Sequence, residues 1–132
     1  RDIPEIIEMT RKFIEEKKTV IGICLGHQIV ALSLGGEVSK MKFGHRGSNH
    51  PVKDIDRNKI FISSQNHGYV VTKVPSILRE SHINLNDNTN EGMKSINTDE
   101  YKIMTVQFHP EASPGPEETA YIFDEFLSLI RK

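Results

Sequence analysis

The single cysteine of the chain lies between two glycines, in the run Gly22-Ile23-Cys24-Leu25-Gly26. A thiol in this position can act as a nucleophile, because a sharp turn from a strand into a helix exposes its central residue and needs small neighbours. The N–H groups at the start of the helix would also stabilise a thiolate, by roughly 0.3–1 kcal/mol. A lone cysteine is more often a small buried hydrophobic residue, so a catalytic prediction needs a partner base.

A candidate base lies near the other end of the chain, in the run Gln107-Phe108-His109-Pro110-Glu111. A nucleophilic thiol needs a base to take and return its proton, and that base needs a third group to fix its tautomer. We therefore predict that Cys24 is the nucleophile, that His109 is the base, and that Glu111 is the carboxylate that orients it.

The elements predicted around these residues are those of an α/β fold. An apolar, β-branched run at 19–21 predicts a buried parallel strand before Cys24, and residues 28–34 predict a short helix that ends at Gly35. A second apolar run at 103–106 predicts the strand that leads to His109. The other predicted elements are an amphipathic first helix capped by Asp2, strands at 52–55, 59–63, 68–74, 78–85 and 93–96, and an amphipathic helix after the turn 113–116.

Length and composition predict one soluble domain, residues 1–132. The formal net charge of −1 gives no reason to expect nucleic acid or an anionic membrane as a partner. One cysteine fits a reducing compartment. Because the sequence has neither an apolar run of the roughly 20 residues that span a bilayer nor a signal peptide, we expect a cytoplasmic location.

Four histidines, His27, His45, His50 and His67, raise the question of a metal site. None of them stands in a Cys/His or His-x-x-x-His spacing that is typical of zinc ligands. We therefore interpret them as polar histidines of loops and expect that the chain holds no metal.

The sequence resembles the triad-type, or class I, glutamine amidotransferases. The resemblance rests on residues 22–28 and 107–111, and three further stretches extend it over essentially the whole chain. These stretches are 41–52, 64–69 and 110–116, of which the Ala-Ser-Pro-Gly-Pro part is the most specific. Together they resemble the small chains of glutamine-hydrolysing carbamoyl-phosphate synthases. The resemblance implies a three-layer, flavodoxin-like α/β fold with a mixed, mostly parallel central sheet whose first strand is missing from this chain.

The resemblance also implies a mechanism on L-glutamine. Cys24 would attack the side-chain amide of glutamine to form a thioester, His109 would protonate the departing ammonia and then activate water, and Glu111 would orient His109. The residues that match glutamine-binding positions are Leu25, whose N–H would be an oxyanion donor, and Gln28, Asn66, Gly68 and Tyr69. No cofactor is expected in this chain. ATP and magnesium are expected in the partner, the large chain that turns ammonia into carbamoyl phosphate for arginine and pyrimidine biosynthesis.

The front of the chain departs from the family pattern. In the family, a strand and a glycine-rich loop precede the first helix, and the loop supplies a second oxyanion donor. We therefore expect the domain to be incomplete at its N-terminal side, and this stretch alone to be marginally stable and weakly active or inactive. Two alternatives stay open: a truncated or degenerate amidotransferase that only docks on a partner, or the amidotransferase domain of another biosynthetic enzyme.

Overall fold

The computed structural model of the chain describes residues 3–110 and 116–131, apart from the side chains of 46–49 and 116–119. Within these residues three helices and six strands follow one another along the chain. Their bounds are α1 Ile3–Glu15, β1 Val20–Ile23, α2 Leu25–Ser33, β2 Glu37–Asp54, β3 Lys59–Lys73, β4 Leu78–Asn84, β5 Asn90–Ser95, β6 Ile103–Val106 and α3 Pro116–Arg131. Asp2, the predicted cap of α1, lies outside the described residues.

The described strands form one mixed sheet in the order β1-β6-β5-β4-β2-β3. The predicted α/β class and mixed sheet are confirmed, but the prediction that the sheet is mostly parallel is wrong for the described strands. Only β1 and β6 are parallel, whereas the other four neighbouring pairs are antiparallel. The reason is the length of the connections: residues 55–58 and 85–89 join successive strands by tight turns, which only antiparallel strands can use.

Helices cover both faces of this sheet. Ile103 and Met104 are consecutive residues of β6, so their side chains point to opposite faces. Ile103 belongs to a buried cluster with Ile14 of α1 and Val30 of α2, whereas Met104 belongs to a second cluster with Phe126 of α3. The predicted three-layer arrangement is therefore confirmed, with α1 and α2 on one face and α3 on the other.

The helix that follows Cys24 ends as predicted but begins earlier. It starts at Leu25 rather than at Gln28, directly after the cysteine. At its other end Gly35 has a φ of 85°, and the N–H of Gly36 donates to the carbonyl of Ala31 at 2.8 Å. A glycine in the left-handed region is the usual end of a helix, because a side chain is strained there.

β2 and β3 differ most from the sequence prediction. They form one long antiparallel hairpin. The strand predicted at 52–55 is the end of β2, and the strands predicted at 59–63 and 68–74 are both parts of β3. The register of their pairing shifts between Lys40 and His45 and between Gly47 and His50. Among the described residues, no helix is both long enough and apolar enough to cross a membrane.

Candidate active site

Cys24 occupies a strained turn between β1 and α2. Its φ of 56° and ψ of −107° place it outside the regions that non-glycine residues usually adopt. Its N–H donates to the carbonyl of Val106 at 2.9 Å, which ties the turn to the end of β6. Strain of this kind costs on the order of 1–3 kcal/mol, persists only where the surroundings impose it, and is concentrated at functional sites.

The two glycines beside Cys24 play different parts in this turn. A Cβ on Gly22 would lie 2.7 Å from the backbone carbon and oxygen of Gly26 and 3.0 Å from the nitrogen of His27. A Cβ on Gly26 would meet nothing within 4 Å outside its own helix among the described atoms. The need for a residue without a side chain is therefore confirmed at Gly22, where the strand passes against the helix, but not at Gly26.

The start of α2 gives Cys24 a favourable electrostatic setting. The carbonyl of Cys24 accepts from the N–H groups of His27 at 3.1 Å and Gln28 at 3.4 Å, so the cysteine is the N-cap residue of the helix. The helix macrodipole places partial positive charge at this end, and it stabilises a thiolate relative to a thiol.

β6 brings the predicted base to the same edge of the sheet. Ile23, the last residue of β1, is paired in parallel with Val106, the last residue of β6. Cys24 thus follows one strand directly, and His109 follows its neighbour by three residues and is partly buried. Side chains beyond the carboxyl ends of parallel strands meet at one edge, which is where α/β proteins bind ligands. Glu111, the predicted orienting carboxylate, lies outside the described residues, and its role stays a prediction.

Two predicted glutamine-binding residues meet beside Cys24. The side-chain Nε2 of Gln28 donates to the carbonyl of Tyr69 at 3.3 Å and to Oε1 of Gln107 at 3.1 Å. Nε2 of Gln107 in turn lies 3.8 Å from Sγ of Cys24. The contacts therefore run from Tyr69 to Gln28, from Gln28 to Gln107, and from Gln107 to Cys24. Gln107 was given no role from the sequence.

The other predicted binding residues lie on the same two elements. Leu25 begins α2 with its side chain 53% exposed, so its predicted role depends on its backbone N–H rather than on that side chain. Asn66 is exposed and Gly68 is half-buried, and both lie on β3 just before Tyr69. Their roles in binding glutamine stay predictions.

His27 is unsuited to act as a base, although it lies only three residues from Cys24. Its side chain is fully buried, and its Nδ1 forms a hydrogen bond of 2.8 Å with Oγ1 of Thr105. Burial, assisted by the nearby His67, lowers the pKa of His27 to about 3 and outweighs the side chain of Asn90, whose oxygen favours the protonated ring. His27 is therefore a neutral residue of the interior that connects α2 to β6.

A buried polar cluster behind Tyr69 was missed by the sequence analysis. His45 and His67 are buried and lie opposite each other on β2 and β3, so their interpretation as loop histidines is wrong. His45 Nε2 donates to Oδ2 of Asp87 at 2.6 Å, and its Nδ1 lies 3.2 Å from Nε2 of His67. His67 Nδ1 donates to the carbonyl of Tyr69 at 2.9 Å, so this carbonyl accepts from both His67 and Gln28.

Glu91 completes this cluster, and together with His45 and His67 it offers three possible metal ligands within 4.8 Å of one another. The facing atoms are, however, already engaged. Oε2 of Glu91 accepts from the amides of Gln65 at 2.8 Å and Asn84 at 3.0 Å, and Nε2 of His67 lies 2.7 Å from Oε1 of Gln65. This donor set fits a hydrogen-bonded network better than a metal centre. That the chain holds no metal stays a prediction.

The carboxyl group of Glu91 is held at an unusual pKa. Burial raises its pKa from 4.5 to about 7, although the hydrogen bonds from Asn84 and Gln65 and the charge of His45 act in the opposite direction. The sequence carries no signal for this group, because Glu91 falls between the strands predicted at 78–85 and 93–96. In the structure β5 begins at Asn90 and carries the Glu91 side chain inward.

A strained cysteine at a strand-to-helix turn of an α/β sheet, with a histidine beyond the neighbouring parallel strand, is the arrangement of a nucleophile and base in acyl-transfer enzymes. The sequence pattern described as "Glutamine amidotransferase class-I" matches residues 1–129. The chain belongs to this family.

Individual relatives carry a more specific name. A carbamoyl phosphate synthase small chain of Clostridium perfringens is 53% identical over 126 residues, which cover 96% of this chain and 35% of that protein. The pyrimidine-specific small chain of carbamoyl phosphate synthase from Bacillus subtilis is 50% identical over 131 residues, which cover 98% of this chain and 35% of that protein. The chain thus spans about a third of the length of these curated relatives.

A solved structure supports the fold. The crystal structure of a glutamine amidotransferase from Thermotoga maritima superposes with a TM-score of 0.70 at 20% identity and covers 96% of this chain and 55% of that one. At this level of identity the likeness concerns the fold alone, and it agrees with the flavodoxin-like α/β architecture that the sequence resemblance implied.

Proposed function

We propose that the chain is the glutaminase part of a glutamine-hydrolysing carbamoyl-phosphate synthase. The observation that carries the proposal is Cys24, held at a positive φ between β1 and α2 with the strand of His109 hydrogen-bonded beside it. Relatives named carbamoyl phosphate synthase small chain, 50–53% identical, support the choice of this enzyme among the amidotransferases.

In the proposed reaction Sγ of Cys24 attacks the side-chain carbonyl carbon of L-glutamine. His109 takes the thiol proton as Sγ attacks; the C–N bond then breaks, a glutamyl thioester forms, and His109 gives that proton to the leaving nitrogen, which departs as ammonia. His109 then takes a proton from water, the hydroxide attacks the thioester, and glutamate leaves as the thiol is restored. Glu111 fixes the orientation of His109, and the N–H of Leu25 donates to the oxyanion of each tetrahedral intermediate.

The substrate would lie over the start of α2, against the end of β3. Gln28, Asn66, Gly68 and Tyr69 are the residues proposed to hold it, with Gly68 allowing the backbone to come close to the ligand. Tyr69 is half exposed, and its carbonyl is fixed by two donors, so this part of β3 can present a rigid edge to glutamine.

The ammonia would be consumed by a large chain that uses ATP, magnesium and bicarbonate to make carbamoyl phosphate. No cofactor is proposed in this chain. The pyrimidine-specific name of the Bacillus subtilis relative supports a place in pyrimidine biosynthesis, and arginine biosynthesis is the second expected use of the product.

The test uses a protein that carries this chain together with its large chain. Cys24→Ser should abolish synthesis from glutamine but leave synthesis from free ammonia intact, because only thioester formation is lost. Ser33→Ala, a change at the far end of α2, is the matched control and should retain both activities. Equal loss of both activities in Cys24→Ser would contradict the proposal. A wild-type protein that binds the large chain but never hydrolyses glutamine would instead indicate a docking module.

The base and its orienting group are tested in the same assay. His109→Asn should be nearly as damaging as Cys24→Ser, whereas Glu111→Gln should be milder, because an orienting carboxylate usually costs less to remove than the nucleophile or base. Labelling of Cys24 by a thiol-alkylating glutamine analogue reports the first step directly. Full-rate labelling of His109→Asn would contradict its role as the base.

A further inference from the structure

Gln107 is the buried side chain whose amide faces the nucleophile. It follows β6 directly, its side chain is completely buried, and its backbone N–H donates to the carbonyl of Glu91 at 2.9 Å. Nε2 of Gln107 lies 3.8 Å from Sγ of Cys24, which is within the range of a hydrogen bond to sulfur. The proposed mechanism uses Cys24, His109 and Glu111 and leaves this contact without a role.

The direction of this hydrogen bond is fixed by a chain of contacts that ends on the backbone. The carbonyl of Tyr69 can only accept, so Gln28 must present its NH₂ group there. The same NH₂ group lies 3.1 Å from the side chain of Gln107, which must therefore present its oxygen to Gln28. The remaining NH₂ group of Gln107 then faces Cys24. If the amide of Gln107 were flipped, two NH₂ groups would oppose each other, so the polarity of the relay is determined.

We propose that Gln107 is a catalytic residue that donates an N–H to the Cys24 sulfur, and that Gln28 orients this donor. The inference rests on the proposed function, since it deepens the description of the same site. A donor aimed at sulfur favours the thiolate over the thiol and holds Sγ in one position. Gln28 then has a second task besides any contact with glutamine: its NH₂ group fixes which end of the Gln107 amide faces the nucleophile.

The test measures how the reactivity of Cys24 depends on pH, without requiring turnover of glutamine. Cys24 is the only cysteine in the chain, so alkylation by iodoacetamide, followed by mass spectrometry of its peptide, gives the apparent pKa of one thiol. Gln107→Met keeps the volume but removes the donor. We expect it to raise the apparent pKa of the Cys24 thiol by about one unit, the effect of losing one hydrogen bond to a charged group.

Gln107→Glu is the sharper variant, because it keeps an oxygen for Gln28 and replaces only the donor. We expect a rise of more than one pH unit, since a carboxylate beside the sulfur also repels the thiolate. If circular dichroism shows that Gln107→Met does not fold, Gln107→Glu alone tests whether Gln107 acts on the sulfur of Cys24. Ser33→Ala, which removes a buried hydroxyl from α2, the helix that carries Gln28, is the control and should leave the pH profile of alkylation unchanged.

The two proposals fail in distinguishable ways. If both Gln107 variants are alkylated with the wild-type pH profile, Gln107 does not act on the sulfur, whether or not the protein hydrolyses glutamine. If the profile moves as expected but the wild-type complex hydrolyses no glutamine, the contact stands and the proposed function is wrong. In an active complex, the Gln107→Glu profile of kcat/KM, which reports groups of the free enzyme, should move to higher pH by the same amount as the alkylation profile.

Discussion

The two glycines that flank Cys24 allow the same change, glycine to alanine, to be tested at two positions with opposite expected effects on stability. In Gly22→Ala the new methyl group would lie 2.7 Å from two backbone atoms of Gly26, about 0.7 Å closer than ordinary van der Waals contact. Those atoms belong to the first turn of α2 and cannot rotate away as a side chain would. The turn must therefore open, and we expect a loss of about 1–3 kcal/mol in the free energy of unfolding, as for other overpacked interiors.

Gly26→Ala is the matched partner of this change. Gly26 lies within α2, its φ is not in the left-handed region, and a methyl group there would meet nothing within 4 Å outside its own helix among the described residues. Alanine is favoured over glycine in a helix by about 1 kcal/mol, so this variant should be more stable than the wild type. Urea unfolding followed by circular dichroism should separate the two midpoints by roughly 1 M or more. Equal midpoints, or a larger loss in Gly26→Ala, would refute the packing argument for the elbow.

Three further substitutions test the buried polar groups. The pKa of His27 falls from 6.5 in the unfolded chain to about 3 in the folded one, so its neutral form contributes stability above pH 6.5 that is lost as the pH falls towards 3. His27→Gln should reduce this acid loss, by at most about 3 kcal/mol in urea unfolding at pH 4. Glu91 has the opposite effect on the pH dependence of stability. Its pKa rises from 4.5 to about 7, so its contribution to the free energy of unfolding is present below pH 4.5 and is lost as the pH rises through 7. Glu91→Gln should therefore reduce the difference in stability between pH 5 and pH 8, by at most about 3 kcal/mol. Tyr121→Phe removes a 2.9 Å hydrogen bond to the fully buried carboxylate of Asp54 and should cost about 1.5–3 kcal/mol at pH 7, whereas Tyr101→Phe, on the other cluster, is the control.

The elements that could be predicted from the sequence are those whose local pattern agrees with their place in the fold. The strand before Cys24 and the strand before His109 place apolar residues where the core needs them. The C-terminal helix also forms, but it buries Ile122, Phe126 and Leu129. Its other apolar residues at helical spacing, Phe123, Leu127 and Ile130, are exposed. β3 reverses this rule. Its exposed residues include Ile60 and Ile62, while Ser63, Gln65 and His67 face the interior. The alternation of apolar and polar residues predicts a strand at β3, but it does not predict which face of that strand is buried.

The same reversal explains why a candidate nucleophile and base could be proposed from the sequence, whereas the polar residues around them could not. The candidate nucleophile and base leave a signature in the chain, because a strained turn favours glycine and proton transfer favours histidine, whatever surrounds them. The residues that hold them do not. Gln107, Gln65 and Glu91 belong to residue types that are usually exposed, and they become interior groups only because neighbouring strands bring amides and carboxylates together across the sheet. The hydrogen bond between Gln65 and Glu91 joins residues 26 apart in the sequence and that between Gln28 and Gln107 joins residues 79 apart, so both exist only after the sheet has formed. The two ends of the relay through Gln28 and Gln107 are Cys24 and Tyr69, and both could be proposed from the sequence as site residues. The amides between them acquire a direction only in the fold.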